Sequence, residues 1–170
     1  MTQSEPGLKI VKGTPLDKAD IRVAFQAHHT PEAVIVTLNA PRASESPFAA
    51  PISPPRFMAD CNANVVAAMK EFNVSKIVIM QAFGVGDSWP NLHYVLRLLM
   101  KKSNMIYQYD DHNLVDKEVR ASGLDYVLAR PSRLKEGATQ GVKHHPNEAH
   151  WLVDAAEGKA WDNTAPVITN

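Results

Sequence analysis

The chain has 170 residues, enough for one domain with its own core. Apolar residues make up 45% and charged residues 21%, and 18 basic side chains are balanced by 18 acidic ones. Neither the basic excess of a nucleic-acid binder nor a polybasic membrane patch is therefore expected, and no nucleic-acid or membrane partner is predicted.

"MTQSEPGLKIVKG" at the start lacks the apolar core of a signal peptide, and no apolar run approaches the roughly 18 residues of a spanning helix, so the expected compartment is the cytosol. "LKIVKGTPLD" (8–17) reads as a short strand over 8–12 and a turn. A helix follows from Lys18 to His28, with Asp17 as its cap and Ile21, Ala24 and Phe25 on one face. "EAVIVTL" (32–38) is a continuous β-branched run that suits a strand buried on both faces, as in parallel sheets. "NAPRASESPFAAPISPP" (39–55) is a long loop rich in Pro and Ser, either a binding loop or a disordered insert.

Over 56–72 the residues Met58, Cys61, Val65, Ala68, Met69 and Phe72 recur at helical spacing and predict a core stripe. Cys61, the only cysteine, excludes an intramolecular disulfide and reads as a small core residue. "NVSKIVIMQAF" (73–83) predicts a turn and a second buried strand. "GVGDSWPN" is a loop, and "LHYVLRLLMKKS" (92–103) a helix with a wide apolar face. Asp110 or Asp111 caps a helix running to Ala121, and Gly123 ends it. "DYVLAR" (125–130) is a third buried strand, residues 135–148 an irregular loop, "AHWLVDAAEG" (149–158) a short helix and "PVIT" (166–169) a small final strand. Strands alternating with helices of this length predict βαβ crossovers and a parallel sheet in one domain over 1–170.

"NVVAAMKEFNVSKIVIMQAFGVGD" followed by "DDHNLVDKEVRASGLDYVLARP" resembles the NmrA-like group of atypical short-chain dehydrogenases, and within it the flavin reductases, also known as biliverdin-IXβ reductases. The resemblance covers residues 8–134. It implies a Rossmann-like fold, NADP as cofactor, and hydride transfer to a small conjugated or aromatic substrate. That family opens with a strand, a GxxGxxG fingerprint, a helix and a second strand, whereas here Met1 falls just before the segment similar to its third strand. The expected fold class is therefore α/β, a truncated Rossmann-like parallel sheet with flanking helices. Gly84 and Gly86 are the only glycines separated by one residue, and without a third glycine or a following helix they do not read as a phosphate cradle. In the usual strand order the 32–38 strand is left with an exposed edge, to be covered by residues 8–12 or by a second copy of the chain.

The resemblance also nominates site residues. His112 stands where it places the lysine of the Tyr-x-x-x-Lys pair, with Gln108 at the tyrosine position; the alternative is a solvated first-turn residue pairing with Asp116. Gln81, with Ala82, ends the second buried strand at the carboxyl edge where α/β ligands bind, and is a substrate contact or a structural amide. His112 and Gln81 are the candidate catalytic residues. Leu38 ends the strand at 32–38 and Asn39, Ala40 and Arg42 follow it, and the resemblance places all four on the cofactor; Arg42 meets a phosphate or is a solvated loop residue. Pro131 and Ser132 follow the third buried strand and contact the cofactor or form a simple turn. "HHPNEAH" (144–150) reads as an exposed loop, because Pro146 breaks helical spacing of its histidines, and no metal is expected. No G-x-S-x-G elbow supports hydrolase chemistry. Trp89, Trp151 and Trp161 read as packing residues. Three functional readings follow: an NAD(P)H-dependent oxidoreductase, a non-catalytic binding or regulatory module, or a truncated inactive product.

Overall fold

The computed structural model describes residues 7–27, 29–132 and 148–168. Helix α1 (Lys18–Gln26) starts at Asp17, whose carboxylate accepts from the Ala19 amide at 2.8 Å and so meets one of the donors every helix start leaves open. It lays Phe25 into the core, while Ala24 stays exposed. Strand β1 (Ala33–Val36) leads into a loop closed on itself, with an antiparallel bridge between Arg42 and Pro51 and a bond from the Ala43 amide to Ala50 O. Helix α2 (Phe57–Glu71) buries the predicted stripe of Met58, Cys61, Val65, Ala68 and Met69, with Phe72 half-buried beyond it.

Strand β2 (Lys76–Met80) is followed by a 3-10 turn (Gly86–Asn91) and helix α3 (Tyr94–Lys102). Helix α4 (Met105–Arg120) ends just before Gly123, whose φ of 80° is the left-handed conformation that closes helices. Strand β3 (Asp125–Pro131), helix α5 (Glu148–Glu157) and strand β4 (Val167–Ile168) complete the described fold.

The four strands form one parallel sheet in the order β1-β2-β3-β4, in register from Ala33 opposite Lys76 and from Lys76 opposite Asp125. Alternation along each strand sends Val36, Ile77, Ile79 and Leu128 to a face covered by α1, α2 and α4. Val78, Val127 and Ala129 go to the opposite face, against Trp151, Leu152 and Ala155 of α5. A residue such as Leu128 or Ile77, wholly removed from water, contributes roughly 1.5–3 kcal/mol by burial. Trp151 packs on Trp161 at 5.6 Å, and Trp89 meets Tyr109 edge-on at 6.0 Å.

Three expectations are corrected. Residues 8–12 form no strand: Leu8 and Ile10 are 57% and 70% exposed, and no sheet neighbour takes up their backbone groups. β1 is consequently an edge strand and not buried on both faces, with Ile35 38% exposed. α4 begins at Met105, because the 3.6-residue period of its buried face already includes Tyr109 before reaching His112, Val115 and Val119, so neither Asp110 nor Asp111 caps it. Helix α3 has the wide apolar face expected of 92–103, and none of its residues is buried among the described residues. The stretch read as an irregular loop lies outside the described residues up to 147, and Glu148 opens α5.

Candidate functional site

Parallel strands bring the ends of β1, β2 and β3 to one edge, where ligands of open α/β sheets bind. Gln81 follows β2 directly. Its backbone amide donates to Ala129 O at 2.7 Å, and its side-chain Nε2 donates to the His112 carbonyl at 3.1 Å. Gln81 is 5% exposed, and its Oε1 has no hydrogen-bond partner. His112 sits in the third turn of α4, buried, and among the described residues its ring makes no hydrogen bond. Burial lowers its pKa from 6.5 to about 4, against the opposing pull of the Asp111 carboxylate, so the imidazole is neutral at physiological pH. The expectation of a solvated first-turn histidine pairing with Asp116 is overturned, since Asp116 is engaged by two arginines.

Tyr109 donates from its hydroxyl to Phe83 O at 2.9 Å, and burial raises its pKa. Gln108 donates to Ala40 O at 2.7 Å and to Asn39 Oδ1 at 3.2 Å, tying α4 to the loop after β1. Leu38 is half-buried and packs on the main core, and Ala40 is 5% exposed within it. Arg42 is not a solvated loop residue. Its guanidinium donates to Ser46 O at 3.1 Å and lies 3.8 Å from Glu45, holding its own loop together. Ala82 accepts from the Val85 amide. Pro131 belongs to β3, opposite Ile168, and accepts from the Phe83 amide, while the Ser132 amide donates to Ile168 O, so both serve the sheet and not a simple turn.

Two groupings result. Gln81 and His112 are joined at the end of β2. Ala40, Arg42 and Gln108 border a groove of about 380 Å³, walled by Pro41, Pro54 and Tyr107. Arg42 makes no bond to the first grouping.

Two places that offer backbone amides, the start of α2 and the Gly84–Gly86 turn, are filled by the protein. At the start of α2 the Met58 and Ala59 amides donate to the two carboxylate oxygens of Asp111 at 2.8 and 2.9 Å. Beside the glycine pair, a Cβ on Gly84 would fall 2.3 Å from Leu92 Cδ1, and one on Gly86 would fall 2.9 Å from Arg130 Nη2. Both glycines have positive φ, but their open sides are occupied by protein atoms. The edge carries a buried amide oxygen without a partner on Gln81, an acceptor, and a neutral imidazole on His112, while neither the start of α2 nor the glycine pair offers free amides to a pyrophosphate.

Asp111 acts as an N-cap supplied from another helix. Asp111→Ala is expected to lower stability by about 2 kcal/mol, the upper end for lost caps, because two buried amides lose their acceptor. Thermal unfolding followed by circular dichroism checks this, with Asp110→Ala unchanged, as Asp110 is exposed.

Sequence reasoning also missed an ion cluster. Arg130, 1% exposed at the end of β3, donates to Asp116 Oδ2 at 2.6 Å and bonds Asp87 as well, while Asp116 Oδ1 accepts from Arg120 Nε at 2.8 Å. Its signal was an arginine within an otherwise apolar buried run, which requires a counter-charge from elsewhere. Among the described residues no group of His, Cys, Asp and Glu is placed to hold a metal. His144 and the residues to Asn147 lie outside them.

Comparison with known proteins places this geometry. A family profile described as NAD(P)H-binding matches residues 1–154. No curated protein matches the sequence. Among solved structures, ChuY from the E. coli CFT073 strain is 16% identical, with a TM-score of 0.62 over 91% of this chain and 73% of that one. ChuY from Escherichia coli O157:H7, described as an anaerobillin reductase, is 17% identical with a TM-score of 0.60 over 96% of this chain and 74% of that one. A wide-type short-chain dehydrogenase/reductase from Veillonella parvula DSM 2008, in complex with NADP, is 14% identical with a TM-score of 0.65 over 93% and 70%. At these identities the likeness shows a shared Rossmann-type fold.

Proposed function

This chain belongs to the NAD(P)H-binding family, and on that premise we propose that it is an NAD(P)H-dependent oxidoreductase that reduces a small conjugated or aromatic metabolite. The observation that carries this reading is the joined pair at the end of β2: Gln81, with an unpartnered Oε1, donates from Nε2 to the backbone carbonyl of His112, whose imidazole burial holds neutral. ChuY, described as an anaerobillin reductase, and the NADP-bound relative support the cofactor and the reaction class by analogy of fold.

Bound nicotinamide would supply the hydride. The chain's own residues position and exclude; none of Gln81, Gln108, Tyr109 and His112 is placed to act as an acid at neutral pH. Gln81 and Gln108 are amides. Tyr109 spends its hydroxyl on Phe83 O with its pKa raised, and His112 is held neutral. The proton that completes reduction comes from solvent, and His112 orients the acceptor by hydrogen bonding. A second reading, a non-catalytic nucleotide-sensing module, is favoured by the filled amide positions at the start of α2 and the Gly84–Gly86 turn.

One assay separates them: loss of reduced-nicotinamide absorbance with flavin, quinone and linear tetrapyrrole acceptors. Acceptor-dependent turnover, lowered about tenfold in Gln81→Leu by loss of one hydrogen-bonding group, is the expected result. Nicotinamide binding without turnover on any acceptor supports the sensing module. Absence of binding removes both.

A further inference from the structure

Helix α3 is oriented with its apolar residues away from the protein. Tyr94, Val95, Leu96, Leu98 and Leu99 are 67%, 49%, 44%, 52% and 37% exposed, whereas Arg97 and Met100 are its least exposed residues. The surface continues past the helix end. Asn104 Nδ2 donates to Phe48 O at 3.0 Å and holds Phe48, 62% exposed, beside the C-terminal turn of α3. Isolated exposed apolar residues are ordinary, but a contiguous set on one helix marks an interaction surface.

Charge identifies the occupant. The chain is neutral overall, yet α3 carries Arg97, Lys101 and Lys102 and no acidic residue. None of the three forms an ion pair among the described residues. Lys101 and Lys102 favour the C-terminal end of the helix dipole, but their ammonium groups remain in solvent beside Leu98 and Leu99. We propose that α3, with Phe48 at its end, is a docking surface for an anionic lipid membrane. The apolar residues enter the headgroup layer, while the lysines lie along it and reach lipid phosphates with their flexible stems. A second copy of this chain is a poorer partner, since two α3 faces brought together bring the two exposed lysines of each and no counter-charge. Balanced composition concealed this surface, because the excess of charge is local.

The test is co-sedimentation of the full chain with vesicles of phosphatidylcholine alone and of phosphatidylcholine mixed with phosphatidylglycerol. The expected result is pelleting with the anionic vesicles only, reversed by high salt. Lys101→Glu with Lys102→Glu should weaken binding at least about tenfold, as should Leu98→Ser with Leu99→Ser. All four side chains are exposed, so unchanged thermal unfolding verifies that the variants fold. No pelleting on anionic vesicles, or equal pelleting on neutral ones, overturns the proposal. So does a dimer in light scattering that Leu98→Ser dissociates while vesicle binding is absent.

Discussion

Asp116→Ala is expected to cost about 3–5 kcal/mol of folding free energy, the range found when one partner of a buried ion pair is removed. Asp116 places one oxygen 2.6 Å from Arg130 Nη2 and the other 2.8 Å from Arg120 Nε. Arg130 is 1% exposed and its Nε already lacks a partner, so without Asp116 a buried guanidinium relies on Asp87, whose side chain is 77% exposed. Arg130 holds the Asp87 carboxyl below the usual carboxylate range, but the Asp87 end of the pair lies in solvent, and Asp87→Asn should change stability by no more than about 1 kcal/mol. Urea unfolding measures both. Replacing the buried pair together, Asp116→Leu with Arg130→Met, should recover most of the loss, because apolar residues of similar volume relieve the desolvation penalty. Equal losses for Asp116→Ala and Asp87→Asn would contradict the ranking.

Acidification should remove roughly 3 kcal/mol through His112 alone. Its pKa falls from 6.5 to about 4 on folding, and each unit corresponds to about 1.36 kcal/mol. The sign follows from burial: the folded state holds the imidazole neutral while the unfolded chain protonates first. Stability is therefore fully present above pH 6.5, declines as pH drops and levels off near pH 4. Because the ring makes no hydrogen bond among the described residues, His112→Leu should be tolerated to within about 1.5 kcal/mol at neutral pH. It should also flatten the acid slope. An unchanged slope in that variant would place the acid sensitivity elsewhere.

The sheet was largely legible in the sequence. "EAVIVTL", "KIVIM" and "DYVLAR" each became a parallel strand, as continuous β-branched and apolar runs between helices suggest; β2 and β3 are buried on both faces, whereas β1 is the edge. The α2 stripe was legible for the same reason, as its period is local. Residues 8–12 have the composition of a strand but no partner edge, and composition does not reveal whether a neighbour exists. Asp111 was assigned as a cap to the wrong helix: the amides it serves are 52 and 53 residues away in sequence, a separation no local pattern reports. At the candidate site, the edge position of Gln81 was readable from the strand that precedes it, but its bond to His112 was not, since it depends on how α4 is rotated over the sheet. Arg42 read as a phosphate contact or a solvated loop residue, and the structure has its guanidinium bonded within its own loop to Ser46 O and beside Glu45.

The proposal has this edge receive the nicotinamide end of a dinucleotide, while the protein's own groups fill the start of α2 and the Gly84–Gly86 turn. Calorimetric titration of the chain with NADPH, reduced nicotinamide mononucleotide and the 2′-phosphate of ADP-ribose tests it directly. The account predicts that the mononucleotide binds within about tenfold of NADPH, since a missing cradle forfeits roughly the 1–2 kcal/mol of charge-assisted bonding it would supply. It also predicts that binding of the mononucleotide weakens in Gln81→Leu. Tight binding of the ADP-ribose phosphate with none of the mononucleotide would contradict it.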